Sequence, residues 1–146
     1  MERTDDTKQA CDRLMAAFFR AVSFEPGSAP NYAQIHTLFI ADGLLIKNSG
    51  ATPEISSLRQ FIEPRRALVA SGALTRFSET ELGETTQVFG NVAQRFSRYA
   101  KSGTQDGNSF EVRGMISTQF IRTPAGWRIS AMAWDDERPG LVLPPQ

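Results

Sequence analysis

At 146 residues the chain has the length of one domain, able to bury about two-thirds of its unfolded surface around a single core. Sixteen basic residues balance sixteen acidic ones with no long run of either sign, so no electrostatic footprint for nucleic acid or an anionic membrane is present. No apolar stretch approaches the roughly 20 residues of a membrane helix, and Met1–Asp6 is too polar and acidic for a secretory signal, so a cytoplasmic location is expected. The single cysteine, Cys11, cannot form an intramolecular disulfide; among Ala10, Leu14 and Met15 it reads as a small buried hydrophobe.

Residues 5–24 predict an amphipathic helix, with Ala10, Leu14, Ala17, Phe18, Ala21 and Val22 at three- and four-residue spacing and Thr4 or Asp5 as cap. Two prolines and a glycine in Phe24–Pro30 end it. A short helix is expected over Asn31–Phe39, with Tyr32, Ile35 and Phe39 on one side, followed by a brief strand at Leu44–Lys47 and a turn-rich segment to Pro53. A third helix falls within Pro53–Ser71. Ser57 and Gln60 fit a capping box, Pro64 predicts a kink or a break into two short helices, and Gly72 is placed to end it in a left-handed conformation.

Beyond Gly72 the period changes from helical to alternating. Strands are expected at about 73–88, 92–101, 109–122 and 127–135, joined by Gly90-Asn91, Asp106-Gly107 and Pro124-Ala-Gly126, all with turn chemistry. Gly83 predicts a bulge in the first of them. Helices followed by consecutive hairpins give an α+β class rather than alternating βαβ units. With no internal repeat or linker, one domain spans residues 1–146, its core at about 8–135.

The order of these elements, with Ile35-His-Thr-Leu-Phe39, Ser57-Leu-Arg-Gln-Phe61, Phe89-Gly-Asn-Val-Ala93 and Gly126-Trp-Arg-Ile129, resembles the NTF2-like superfamily, including its SnoaL-like and steroid-isomerase-like branches. The resemblance implies a cone-shaped α+β barrel: a curved sheet covered by three helices, with a hydrophobic cavity for a small apolar molecule. It also implies a homodimer formed through the sheet. It does not imply one activity, because the superfamily includes isomerases, cyclases, hydrolases, dehydratases and non-enzymatic adaptors.

Motifs for conventional chemistry are absent: there is no CxxC, HExxH, GxxxxGK[ST], GxGxxG or GxSxG, so neither a metal nor a cofactor is expected. His36, the only histidine, stands one turn after Tyr32. It reads either as a general acid or base at the cavity wall or as a packed or surface side chain. On the strand at 92–101, Ala93, Arg95, Ser97 and Tyr99 share one face; on the next, Arg113, Met115, Ser117 and Gln119 do. If the Ala93 face lines a cavity, Arg95, Tyr99, Ser117 and Gln119 would place convergent polar groups in an apolar wall. The alternative is cross-strand pairing on a solvated or dimer-forming surface.

Glu79 and Glu81 lie on one face about 6–7 Å apart; they could divide acid and base roles, although a solvated outer face is the expectation. Asp135, in the acidic run after Trp134, could act as a general base at the cavity mouth, as pocket aspartates do in steroid-isomerase-like members; the run also reads as a polar strand exit. Trp134 is a candidate for the rim, Trp127 for the core, and Glu63–Arg66 reads as structural. Two functions follow. One is a cofactor-independent isomerase, lyase or hydrolase in which His36 and Asp135 shuttle a proton while Arg95 and Tyr99 polarise an oxygen. The other is a non-catalytic ligand-binding or dimerisation module.

Overall fold

The computed structural model describes residues 4–145. The first helix, α1 (Thr4–Val22), buries Ala10, Ala17, Phe18, Ala21 and Val22 of the expected stripe; Met15 joins them, Cys11 is buried as its neighbours suggest, and Leu14 is half-buried. Asp5 and Asp6 fall in its first turn, where the helix dipole favours carboxylates. The side chain of Thr4, one of the two expected caps, lies outside the described residues. A 3₁₀ turn (Tyr32–Gln34) and the one-turn α2 (Ile35–Leu38) lead directly into β1 (Phe39–Lys47), which starts five residues before the predicted strand. A three-residue strand, β2 (Glu54–Ser56), pairs with the end of β1 and has no counterpart in the prediction.

The third helix, α3 (Leu58–Ala70), has the capping box: Ser57 Oγ accepts from the Gln60 amide and the Gln60 side chain accepts from the Ser57 amide. It passes through Pro64 without breaking into two. Burial of Leu58, Phe61 and Ile62 before the proline supplies tertiary packing that outweighs one missing helical bond. Gly72, at φ +79°, closes it as expected.

Four long strands complete the fold: β3 (Leu74–Phe89), β4 (Val92–Gln105), β5 (Asn108–Thr123) and β6 (Gly126–Asp136). They form consecutive hairpins. Asp106 and Gly107 both have positive φ, the geometry a two-residue turn needs to match strand twist. The sheet order is β2-β1-β6-β5-β4-β3, with β1 parallel to β6 and every other pair antiparallel. The curved sheet is open, with β2 and β3 at its edges, so the expected barrel is not a closed one.

Register decides which side chains face the helices. The Asp106-Gly107 turn pairs Gln105 with Asn108, so odd-numbered β4 residues oppose even-numbered β5 residues. Ala93, Arg95, Ser97 and Tyr99 are buried on the inner face, opposite Phe120, Thr118, Ile116 and Gly114. Ser117 and Gln119 pair with Phe96 and Gln94 and are exposed on the outer face, so they do not join Arg95 and Tyr99. On β3 the pairing slips between Glu81 and Gly83, the bulge expected there, leaving Leu82 without a partner. The extra residue brings Glu84, Thr86 and Val88 to the inner face alongside Phe77, Glu79 and Glu81, opposite Ser97, Arg95 and Ala93.

Candidate functional site

Between α1, α3 and the inner face of the sheet lies a cavity of about 490 Å³. Its walls are mostly apolar, with Phe18, Phe61, Phe77, Phe110, Met132 and Trp134 among them. Phe61 carries one side of this wall; its ring meets Trp134 edge-on at 6.2 Å between centroids and Phe18 at 6.4 Å. Five charged residues also reach the cavity: Lys47, Arg65, Glu79, Lys101 and Asp136. A few polar groups in an apolar chamber of this volume are what a small-molecule pocket requires.

Glu79 is the group most altered by this environment. It is only partly exposed, through the cavity, and its carboxylate has no hydrogen bond or ion pair among the described residues. Burial pushes its pKa up from 4.5 to about 7; Asp136 adds to the rise, while Lys101 and Arg65 oppose it. Lys101 is the register partner of Glu79 across the β3–β4 ladder, yet its Nζ lies 3.1 Å from Asp136 Oδ1. The nearest strand neighbour is thus committed elsewhere, and Glu79 is left to exchange a proton near neutrality.

Asp136 is held from behind. The fully buried Tyr99 donates its hydroxyl to Asp136 Oδ1 and to the backbone carbonyl of Asp135 at 3.0 Å. Burial and the Asp136 carboxylate both raise the Tyr99 pKa, so the phenol stays protonated and remains a donor. This contact needs a residue without Cβ at Gly114, where an added methyl would overlap Tyr99 Oη and the Asp135 carbonyl. Gly114→Ala is expected to destabilise the fold by about 2 kcal/mol in urea unfolding. Part of that loss should return in Gly114→Ala/Tyr99→Phe, which removes the overlapped oxygen.

The second polar cluster of the inner face lies apart from the cavity. Arg95, 4% exposed, places Nη2 2.7 Å from Glu81 Oε1 and Nε 3.1 Å from Glu81 Oε2, with Nη1 2.5 Å from Asp12 Oδ1 of α1. Ser97 Oγ donates to Glu81 at 2.6 Å, and Lys8 bridges Asp12 and Glu84 at 3.2 and 2.9 Å. Burial opposes the Arg95 charge, but hydrogen bonds to Glu81 and Asp12 outweigh it and hold the guanidinium above its ordinary pKa. Asp12 and Glu84 are likewise partly desolvated, yet bonds from Arg95 and Lys8 to the first, and from Thr86 and Lys8 to the second, lower both pKa values. Every strong donor here has an acceptor; the cluster fastens α1 to β3 and β4.

The sequence-predicted residues therefore separate. Tyr32 and Trp134 line the cavity. Tyr99 and Arg95 face inward, but the first lies behind Asp136 and the second belongs to the ion cluster. His36 is exposed on α2, because Ile35 and Leu38 take the buried positions of that single turn, so it does not stand at the cavity wall. Asp135 points away from the cavity and pairs with Arg138 at 2.5 Å; strand alternation gives the inward position beside Trp134 to Asp136. Glu79 and Glu81 occupy the inner face rather than a solvated outer one. Arg65, expected to be structural, reaches the cavity. Among the described residues no group of three or more histidine, cysteine or acidic side chains could hold a metal ion.

Comparison with solved structures decides what kind of fold this is. An NTF2-like superfamily protein from Salmonella enterica serovar Typhimurium superposes with a TM-score of 0.74 at 15% identity, covering 90% of this chain and 92% of that one. This chain has the NTF2-like fold. A candidate aromatic ring hydroxylase from Novosphingobium aromaticivorans gives a TM-score of 0.76 at 18% identity, over 94% of each chain. An NTF2-like protein from Rhodospirillum rubrum gives 0.63 at 21%, over 91% of this chain and 99% of that one. At such identities the likeness to these NTF2-like structures is one of fold alone. No family model and no curated protein matches the sequence. No helix among the described residues is long and apolar enough to cross a membrane.

Proposed function

We propose that the chain binds a small, largely apolar molecule in its cavity and moves a proton on it without a cofactor, as an isomerase or lyase would. The observation that carries this reading is Glu79: a carboxyl with a pKa of about 7, open to an apolar chamber, with no internal partner. As a base it would remove a proton from a carbon next to a carbonyl. Charge developing on the carbonyl oxygen would meet the cations and the Tyr32 hydroxyl in the same wall. Tyr99 acts as a positioning residue, fixing Asp136 and through it Lys101.

A direct test uses 2-tetralone in D₂O at neutral pH, with α-proton exchange followed by NMR. Exchange faster with the wild-type protein than with Glu79→Gln supports the reading. Equal rates for the two proteins and for buffer alone would remove proton transfer and leave a binding module.

Association of two copies through the sheet is part of the same proposal, and one observation favours it. The outer face carries Phe96 at 54% exposure, Phe89 at 86% and Val92 at 46%, flanked by the neutral Gln94, Ser117 and Gln119. An exposed apolar cluster of this kind is what an interaction surface carries. Phe96→Glu should shift a dimer to monomer in light scattering while leaving ligand binding unchanged, since Phe96 lies on the opposite side of the sheet from the cavity. A wild-type protein that is monomeric at high micromolar concentration would rule the dimer out.

A further inference from the structure

The charges of the cavity do not cancel as those of the whole chain do. Lys47, Arg65 and Lys101 stand against Glu79 and Asp136, and Lys101 is already paired with Asp136 at 3.1 Å. Burial holds the Glu79 pKa above its ordinary value, which favours its neutral form. The balance of the chamber is therefore positive inside a chain of zero net charge.

Among the described residues, Arg65 and Lys47 are the cations of the cavity without a counter-ion, and Arg65 is the one held in place by its neighbours. It projects from α3 one turn after Phe61, its guanidinium carbon 3.6 Å from the centre of the Phe61 ring and its Nη1 donating to the Phe61 carbonyl at 2.9 Å. These contacts hold the group against α3 yet use only one of its five N–H donors. Among the described residues no carboxylate lies within 4.0 Å of it, and its pKa is lowered, chiefly by burial. By contrast Arg95, buried on β4, has two carboxylates in hydrogen-bonding contact. A guanidinium held over an aromatic ring, partly desolvated and facing a cavity, has the shape and charge to receive a planar carboxylate on two parallel N–H bonds.

We propose that the physiological ligand is an apolar molecule bearing a carboxylate, and that Arg65 is the residue that selects it. The inference rests on the cavity being a ligand site, and it adds to that reading the class of ligand. A carboxylate suits this chamber better than a phosphate monoester. It is planar, it carries one charge, and it leaves the rest of the ligand free to lie against the phenyl rings.

The two levels of the claim separate in one displacement experiment at pH 7.5. The neutral probe N-phenyl-1-naphthylamine is bound first, and its fluorescence is then competed with 2-naphthoate or with 2-naphthamide, which differ only in the charged group. In the wild-type protein 2-naphthoate should displace the probe at about tenfold lower concentration than the amide. Arg65→Gln should bring the two competitors to within about twofold of each other, read as their ratio within the one protein, and Arg65→Lys should retain part of the preference. Equal competition in the wild-type protein, or an undiminished preference in Arg65→Gln, would overturn the role of Arg65 while the cavity remained a binding site. A wild-type protein that binds neither the probe nor either competitor would overturn the ligand-site reading and this inference together.

Discussion

In Glu79→Gln the stability of the protein should stop falling between about pH 4.5 and pH 7. The ordinary carboxylate value is 4.5 and the folded value is about 7, so the folded state holds a proton that the unfolded state has released. A native state that binds more protons than the unfolded one loses stability as pH rises. The wild-type loss begins near 4.5, is complete just above 7, and amounts to at most about 3 kcal/mol, less where water in the cavity screens the charge. Glutamine does not titrate, so urea unfolding at pH 5, 6, 7 and 8 should show a flat series for the variant over the window where the wild type declines. The variant should equal the wild type near pH 5 and exceed it at pH 8. Parallel curves would mean that Glu79 is an ordinary solvated carboxylate, and the proton-transfer reading would lose its base. A site that carries a destabilising charge at working pH is the expected signature of a group kept for chemistry rather than for folding.

The other large effect belongs to Arg95. Replacing it with methionine keeps the volume of the stem but strands the half-buried Glu81 and takes from Asp12 its closest cation. Removing one partner of a buried ion pair costs about 3–5 kcal/mol, and Arg95→Met should lose that much at pH 7, with a melting point lower by about 10 °C. The loss has a predictable pH dependence. Asp12 and Glu84 have folded pKa values below 3.8 and 4.5, so their contribution is present above those values and disappears as pH falls through the lowered ones. The difference between variant and wild type should therefore be full at neutral pH and shrink in acid as the carboxylates protonate. A deficit under 1 kcal/mol at pH 7 would show that the cluster is loosely hydrated and does not anchor α1 to the sheet.

Much of the fold could be read in the sequence because its strongest signals are local. The turn chemistry of Asp106-Gly107, the capping box at Ser57 and Gln60, the left-handed Gly72 and the bulge beside Gly83 each depend on a few adjacent residues. What escaped depends on pairing between distant segments. The three residues of β2 form a strand only because β1 offers them an edge. Pro64 breaks an isolated helix but not one whose first turns are buried.

The site was less legible than the fold, and two of its errors were errors of parity. Tyr99 and Ser117 cannot share a face once Gln105 pairs with Asn108, a register that the turn itself prescribes. Asp135 cannot point with Trp134, since neighbours on a strand face opposite ways. Both could have been caught from the sequence. Glu79 and Arg65 could not: each draws its significance from what fails to reach it, namely a counter-ion, and only the assembled cavity shows that Lys101 turns to Asp136 instead.

The bulge at Leu82 changes the phase of β3 partway along its length. From Phe77 to Glu81 the inward positions fall on odd numbers and deliver Phe77 and Glu79 to the cavity; beyond the bulge they fall on even numbers and deliver Glu84 and Thr86 to the helix anchor. A single edge strand thus serves two interior tasks that a regular strand of the same sequence could not combine. Paired regularly, with no bulge, the same residues would present Glu84, Thr86 and Val88 to the outside and send Thr85 and Gln87 in their place, while Phe77 and Glu79 kept their positions; deleting Leu82 would instead close the ladder with both sets still inward. The anchor and the cavity are in that sense separately placed along one strand, and the unpaired Leu82 is the point where one gives way to the other.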